Sequence, residues 1–369
     1  MKRPSLLLLW AAHDILRRPA DTLLVGLALA SLIWVSGTVA LLVESVRATA
    51  HRLIDAGPSL VVRKIGPAGF APISVTATSA IAGVPGALNV RPRVWGPARA
   101  EDRGIEIIAA EAGPAKDEAW VGPGFAPEEG AVMAVRGPGG QRDLLLAKAL
   151  PTRGGPVAQD SFFVHPEAAR QVLGLPEDRA TDIAVDVFRE SEEAAIRADI
   201  AAALPFVVTI STKSEAKRRY ATSLTRRGGL FWLALLPAAL AIAALTAGAA
   251  RDRTARGREI GLLKAVGWTT ADIVWLQSFR ALWIAVPAVS VGWIGAWLSV
   301  FSDQVTWPGT LLLGWADRPP ALSLDAGGAM VALVQVTAIA VAPWFIASIV
   351  PAIASGARDP WSLLNGDAS

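Results

Sequence analysis

Four stretches of this chain run for about twenty residues or more without a charged side chain: Thr22–Val43, Gly228–Ala250, Ala281–Ser302 and Met330–Ile349. An apolar helix of about 20 residues crosses the roughly 30 Å of a bilayer's hydrocarbon, so each window predicts one spanning helix. Charge gathers between the windows. Charged residues make up 18% of the chain and hydrophobic residues 53%, against roughly 25% charged in soluble domains. The fold class expected is a membrane protein with four transmembrane helices, plus an α+β extracytoplasmic domain inserted between helices 1 and 2. Pro343 lies inside the fourth window and predicts a kink there.

The first window is read as an uncleaved anchor. Lys2 and Arg3 open the chain as a secretory signal would. However, Asp14, Arg17 and Arg18 interrupt the early apolar run, and Thr22–Val43 is longer than a signal core of about 7–15 residues. Leu6–Leu16, with Trp10, predicts a short interfacial helix ended by Pro19.

Orientation follows from the basic residues of short loops. Lys2, Arg3, Arg17 and Arg18 precede the first window, and Arg251, Arg253, Arg256, Arg258 and Lys264 lie between the second and third. The loop before the fourth window carries Asp303, Asp317 and Asp325 against Arg318. Both termini and the middle loop are therefore expected in the cytoplasm. The basic run Lys213, Lys217, Arg218, Arg219, Arg226 and Arg227 sits on the opposite side, where a long translocated domain weakens the rule. The net charge of +3 is accounted for by these loops, and no nucleic-acid partner is expected. With no cysteine, disulfide frameworks, thiolate metal sites and cysteine nucleophiles are excluded.

Trp232, Trp268, Trp307, Trp315 and Trp344 fall near predicted span ends, where indole rings favour headgroup depth. Trp283, Trp293 and Trp297 are deeper and are expected to pack on other helices.

Residues 44–227 are long enough for a domain with its own core. Val46–Asp55 would extend the first span as a stalk, ended by Gly57-Pro58. Leu60-Val61-Val62 and Val90–Trp95 read as strands, and Gly104–Gly155 as turn-dense β structure. Ile183, Val185 and Val187 alternate with Ala184 and Asp186 as in a half-buried strand. Ser191 is expected to cap a helix presenting Ile196, Ile200 and Leu204 on one face, closed by Pro205 and followed by a strand over Phe206–Ile210. This β-α-β unit and the Leu60–Trp95 region form an α+β module split by an insertion, with Ser214–Thr225 as a basic stalk. His165, before Pro166-Glu167, reads as a turn residue. No catalytic group or metal ligand set stands out.

The segment Arg258-Glu259-Ile260-Gly261-Leu262-Leu263-Lys264-Ala265-Val266-Gly267 predicts a short amphipathic helix with an Ile260, Leu263 and Val266 stripe. Glu259 near its start and Lys264 near its end suit the helix dipole. Gly267 would end it in the left-handed region. Thr269 and Asp272 would then open the next helix with a capping box. This segment resembles the cytoplasmic coupling region of FtsX-like/MacB-like ABC transporter permeases. The matching positions are Arg256 or Arg258, Glu259, Gly261, Leu263, Lys264, Ala265 and Gly267. Trp10–Leu24 and Ser355–Leu364, where Asp359 and Pro360 can start a final helix, are similar to that family's terminal segments.

The resemblance implies residues 1–19 as an N-terminal interfacial helix, 20–43 as the first span and 44–227 as the extracytoplasmic module. The second span would be 228–250, the coupling helix 251–269, the third span 270–302, an outer loop 303–328, the fourth span 329–351 and a cytoplasmic tail 352–369. It also implies a permease subunit in a bacterial inner membrane, coupled to a separate ABC ATPase that binds ATP and magnesium, since no G-x-x-x-x-G-K-[ST] motif occurs in this chain. A second permease protomer, identical or not, and membrane lipids are implied partners. A periplasmic adaptor or substrate-binding partner is left open. No cofactor is expected in this chain. Export of a hydrophobic or periplasmic substrate is the function implied, with activation of a partner such as a cell-wall hydrolase as the alternative. A membrane enzyme or adhesin-like anchor is the reading that needs no ATPase. The spans lack charge in their central parts, which argues against a secondary transporter.

Overall fold

The computed structural model describes residues 8–13, 19–67, 69–101, 103–110, 112–122, 124–125, 130–150, 160–219, 236–241, 243–244, 254–302, 308 and 322–357. The chain divides into two compact units: residues 1–44, 225–312 and 325–369 in one, and 45–224 with 313–324 in the other.

The first long element is α1, Pro19–Ala56. Proline suits a first helical position, because its missing N–H would have no partner there. At about 1.5 Å per residue the 38 residues of α1 extend about 57 Å, well beyond the hydrocarbon thickness. The helix thus absorbs both the expected span and the expected stalk, and it stops before Gly57.

In the second unit the chain builds an antiparallel sheet, leaves it to form a barrel, and returns. The elements are β1 (Leu60–Gly66), β2 (Gly69–Ala71), β3 (Ile73–Ser74), α2 (Ala77–Ala82), β4 (Ala87–Arg93), β5 (Trp95–Ala100), β6 (Arg103–Ala109), β7 (Glu118–Val121), β8 (Val132–Gly137), β9 (Gly140–Ala149), β10 (Ser161–Val164), α3 (Pro166–Leu173), β11 (Arg179–Ala180), β12 (Asp182–Val187), α4 (Glu193–Ala203) and β13 (Val208–Thr212). The sheet runs β13-β1-β12-β4 and is antiparallel throughout, with β2 also on β1 and a separate β3–β11 pair. Leu60, Val62, Ile183, Val185 and Ile210 meet Ile81 of α2 and Ile196 and Ile200 of α4 in one core.

Strands β10-β6-β5-β8-β9-β7 close on themselves. Two of the barrel pairings, β10–β6 and β7–β9, are parallel. Ile107, Leu144, Leu146, Phe162 and Val164 fill the interior, and Ala168, Ala169 and Val172 of α3 join that core. Phe125 meets Phe162 edge to face at 5.2 Å.

Several expectations need correction. The span Val90–Trp95 is not one strand: Val94 separates β4 in the sheet from β5 in the barrel. Ser191 caps nothing; it lies within the 3-10 turn Glu190–Glu192, and Glu192 takes the N-cap position without a side-chain bond. Strand β12 is not half-buried, because Asp182, Ile183, Ala184 and Val185 are all buried. It lies between β1 and β4, so its flanks are strands, and arginines from both, Arg63 and Arg93, reach Asp182 on the face away from α2 and α4.

The helical unit contains the start of α1 together with α5 (Thr254–Ala265), α6 (Thr270–Phe301) and α7 (Ala326–Ala357). Among the described residues three helices are long and apolar enough to cross a membrane: α1, α6 and α7. The expected span Gly228–Ala250 lies largely outside the described residues; within it, residues 236–241 and 243–244 are helical.

Helix α6 buries a stripe of small residues, Ala281, Ala285, Ala288, Gly292, Ala296 and Ser299. Their 4-3-4-4-3 spacing keeps them on one face. Small side chains let helix backbones approach closely where no hydrophobic drive separates protein from lipid. A Cβ on Gly292 would stand 2.7 Å from the Ala30 carbonyl oxygen and 2.9 Å from Ile33 Cβ. Trp34 Nε1 donates to Ser299 Oγ at 2.9 Å across the same contact. The opposite face is open, with Val291 and Ile294 about 60% exposed, as a lipid-facing surface requires.

Here too the tryptophans differ from expectation. Trp344 is 3% exposed and packs against Ala281, Ala285 and Ala288. Trp283 and Trp297 are each 46% exposed instead of packed between helices, whereas Trp293 lies against Gly37. Trp232, Trp307 and Trp315 lie outside the described residues.

Candidate functional site

The segment joining α5 to α6 has both of its ends closed by hydrogen bonds. Helix α5 begins at Thr254, earlier than the charged decapeptide, and carries Arg256, Arg258, Glu259, Gly261, Leu263, Lys264 and Ala265. Lys264 stands in its last turn, where a cation complements the helix dipole. Gly267 adopts φ +89°, a conformation open to glycine and costly for a residue with a Cβ. With it there, the Gly267 N–H donates to the Lys264 carbonyl at 2.9 Å and the Trp268 N–H to the Leu263 carbonyl at 3.0 Å. These are the paired 5→2 and 6→1 bonds of a Schellman ending.

One residue later the next helix opens. Thr269 Oγ1 accepts from the Asp272 N–H at 3.2 Å, and Asp272 Oδ2 accepts from the Thr269 N–H at 3.0 Å. The Thr269 hydroxyl also donates to that carboxylate oxygen at 2.7 Å. This is the expected capping box, and it leaves Asp272 with partners although it is only 7% exposed. Four residues, 266–269, therefore connect the two helices, and all four are held by local bonds, the Val266 N–H donating to the Leu262 carbonyl at 3.1 Å. Such a joint moves as a unit and has little slack.

The apolar surface of this segment differs from the expected stripe. Ile260 and Leu263 are half-buried. Val266 lies in the turn and is 72% exposed, and Leu262, one helical turn earlier, is 61% exposed. Beside the joint Trp268 is 9% exposed, and its ring stands 5.7 Å from that of Trp10. The N-terminal helical segment, residues 8–13, thus touches the joint, with Ala11 fully buried. Nothing in the spacing of Trp10 and Trp268 signalled that contact.

The second unit holds a further polar cluster. Asp182 is fully buried and accepts from Arg93 Nε at 2.7 Å, Arg93 Nη2 at 2.9 Å and Trp95 Nε1 at 2.9 Å. Arg63 lies 3.6 Å from the same carboxylate, between the rings of Phe70 and Trp95 at 5.2 and 5.1 Å. Thr181 bonds the backbone of Trp95 through its hydroxyl, donating to the carbonyl at 2.7 Å and accepting from the N–H at 3.1 Å. The strands entering the barrel and leaving it are thereby tied together at the sheet. Both carboxylate oxygens of Asp182 are engaged, so the cluster has the form of a structural clamp.

His165 is the N-cap of α3, its Nδ1 accepting from the Glu167 N–H at 3.3 Å, and Pro166 follows at the first helical position. Lys116 bonds the Glu167 carboxylate and holds it below the usual carboxylate range. Gly137-Pro138-Gly139-Gly140 is a hairpin turn resting on the end of α3, with the Gly139 N–H donating to the Val172 carbonyl at 2.8 Å. Among the described residues no cluster of three or more His, Asp or Glu could hold a metal.

No protein-family model matches the chain, and no curated protein is significantly similar to it.

Proposed function

We propose that this chain is the membrane subunit of an ABC transporter, with α5 as the element on which a separate ATPase docks. The observation that carries this reading is the closed joint between α5 and α6. A helix fixed to a membrane-length helix through a Schellman ending and a capping box transmits displacement instead of absorbing it. Leu262 and Val266, exposed one helical turn apart, supply the apolar contact a docked partner would cover. Arg256, Arg258, Glu259 and Lys264 supply charge along the same helix.

In this account the Gly228–Ala250 window completes four spans, and both termini and α5 face the cytoplasm of a bacterial inner membrane. The sheet-and-barrel unit faces outward. Two permease protomers and two ATPases form the working assembly, and ATP-driven movement of α5 passes through α6 to extrude a hydrophobic or periplasmic substrate.

The test exploits the exposed joint. A photo-crosslinking amino acid placed at Val266 in the full chain, in its own membrane, is expected to capture an ATP-binding polypeptide. The same group at Val291, on the open face of α6, should capture lipid only. If Val266 gives only lipid products as well, α5 is not a docking element.

A further inference from the structure

The barrel wall has a notch at the seam between β5 and β8. These antiparallel strands pair only at Arg99↔Arg136 and Ala100↔Val135. Continuing the register would set Pro97 against Pro138, and neither has an N–H to donate to a ladder. The turn after β8 is instead drawn toward α3, where the Gly139 N–H bonds the Val172 carbonyl at 2.8 Å. The strands diverge and leave a cavity of about 300 Å³ lined by Pro97, Ala98, Arg99, Arg136, Gly137 and Pro138.

Arg99 and Arg136 line it as direct cross-strand neighbours, a placement in which like charges repel. Both arginines are exposed, and among the described residues neither has a carboxylate partner. Arg136 donates only to Gln141 Oε1, at 2.9 Å. The acidic positions beside the notch are Glu106, opposite Pro97 on β6, and Asp143, opposite Ala134 on β9, and among the described residues neither pairs with Arg99 or Arg136. Other arginines of this barrel are engaged: Arg142 pairs with Asp117 at 2.6 Å, and Arg103 lies over the ring of Phe125 at 5.6 Å.

We infer that this notch is an oxyanion site for a phosphate-type dianion. A phosphate monoester carries about −1.5 to −2 charge at neutral pH, which matches two arginines where a carboxylate would match one. Guanidinium forks bond tetrahedral oxyanions in pairs, and the rigid prolines hold the notch open without a ligand. Its volume sits at the small end of ligand pockets, with room for a phosphate group and part of whatever carries it. Free phosphate and the phosphate of a lipid headgroup present the same chemistry to the arginines.

The test uses the full chain in neutral detergent, with thermal unfolding and calorimetric titration against inorganic phosphate at constant ionic strength set with chloride. Saturable binding and a raised unfolding temperature are expected. Arg99→Gln and Arg136→Gln should each weaken binding about tenfold or more, the loss of a charge-assisted bond. Without phosphate each variant should unfold no lower than the parent, because removing one charge relieves the cross-strand repulsion. Phosphate acting no better than chloride, or acting equally on the double variant, would overturn the site. The same titration with short-chain phosphatidic acid assigns the source: a tenfold preference for the lipid points to a headgroup, and equal affinities point to free phosphate.

Discussion

Replacing Asp182 with alanine should loosen the sheet where the chain passes into the barrel. The carboxylate is fully buried, accepts two bonds from Arg93 and one from Trp95, and has Arg63 at 3.6 Å. Breaking a buried ion pair by removing one partner costs about 3–5 kcal/mol when the remaining charge cannot reach water. Here Arg93 and Arg63 keep 34% and 32% of their side-chain surface exposed, so water can solvate them after truncation. That places the cost at the low end, about 3 kcal/mol, equivalent to roughly a 150-fold loss of hydrogen-exchange protection. Exchange on the full chain should show the loss across β4 and β12 and at the Trp95 and Thr181 amides. The long helices should be unaffected. Asp182→Asn, which keeps acceptors for Trp95 and one Arg93 nitrogen, should lose less. A change below about 0.5 kcal/mol for the alanine variant, the size of an ordinary surface substitution, would refute the clamp.

Gly139→Val should detach the hairpin turn from α3, since a Cβ there would clash with the Gln171 carbonyl oxygen and the Gly174 nitrogen; lost exchange protection at the residue-139 amide, which donates to the Val172 carbonyl, reads it out. The chain has no cysteine, so Gly37→Cys with Ala296→Cys gives a clean test of the α1–α6 contact: the two Cβ positions are 3.0 Å apart, and a small backbone shift brings them to the roughly 3.8 Å of a disulfide. Oxidation should produce an intramolecular crosslink, and its absence would mean the helices do not pack as described. Burial pushes the Glu106 carboxyl above its ordinary 4.5, with Arg63 opposing more weakly. Its folded state therefore holds the proton more tightly than the unfolded chain, and stability falls as pH rises past 4.5 toward the folded value. Glu106→Gln should raise the unfolding temperature at neutral pH, and the gain should vanish below 4.5.

Local signals proved the most legible in the sequence. Charge-free windows located α1, α6 and α7, because membrane-length apolarity is a property of consecutive residues. Gly267, Thr269 and Asp272 marked the joint because Schellman endings and capping boxes close within six residues. His165-Pro166 and Gly137–Gly140 were legible for the same reason. Closure of the barrel was not, since it depends on β10 lying parallel to β6 more than fifty residues away, and no local pattern encodes that pairing. Asp182 reads in sequence as a polar residue at the start of a strand; only Arg93 and Trp95, about ninety residues earlier, make its burial affordable. Ser191 failed as a cap because a preceding 3-10 turn moved the helix start past it. At the coupling helix, the expected stripe placed Val266 with Ile260 and Leu263. The helix ends before Val266, and the turn swings it to the exposed side with Leu262.

The central claim is that α5 docks an ATPase, and identifying what accompanies the tagged full chain out of mild detergent tests it most directly. Mass spectrometry should find a near-stoichiometric ABC ATPase. Glu259→Ala with Gly267→Leu should lose it while the permease itself remains folded. A preparation free of any ATPase, under conditions that preserve membrane complexes, would contradict the account and leave α5 as a loop helix between two spans.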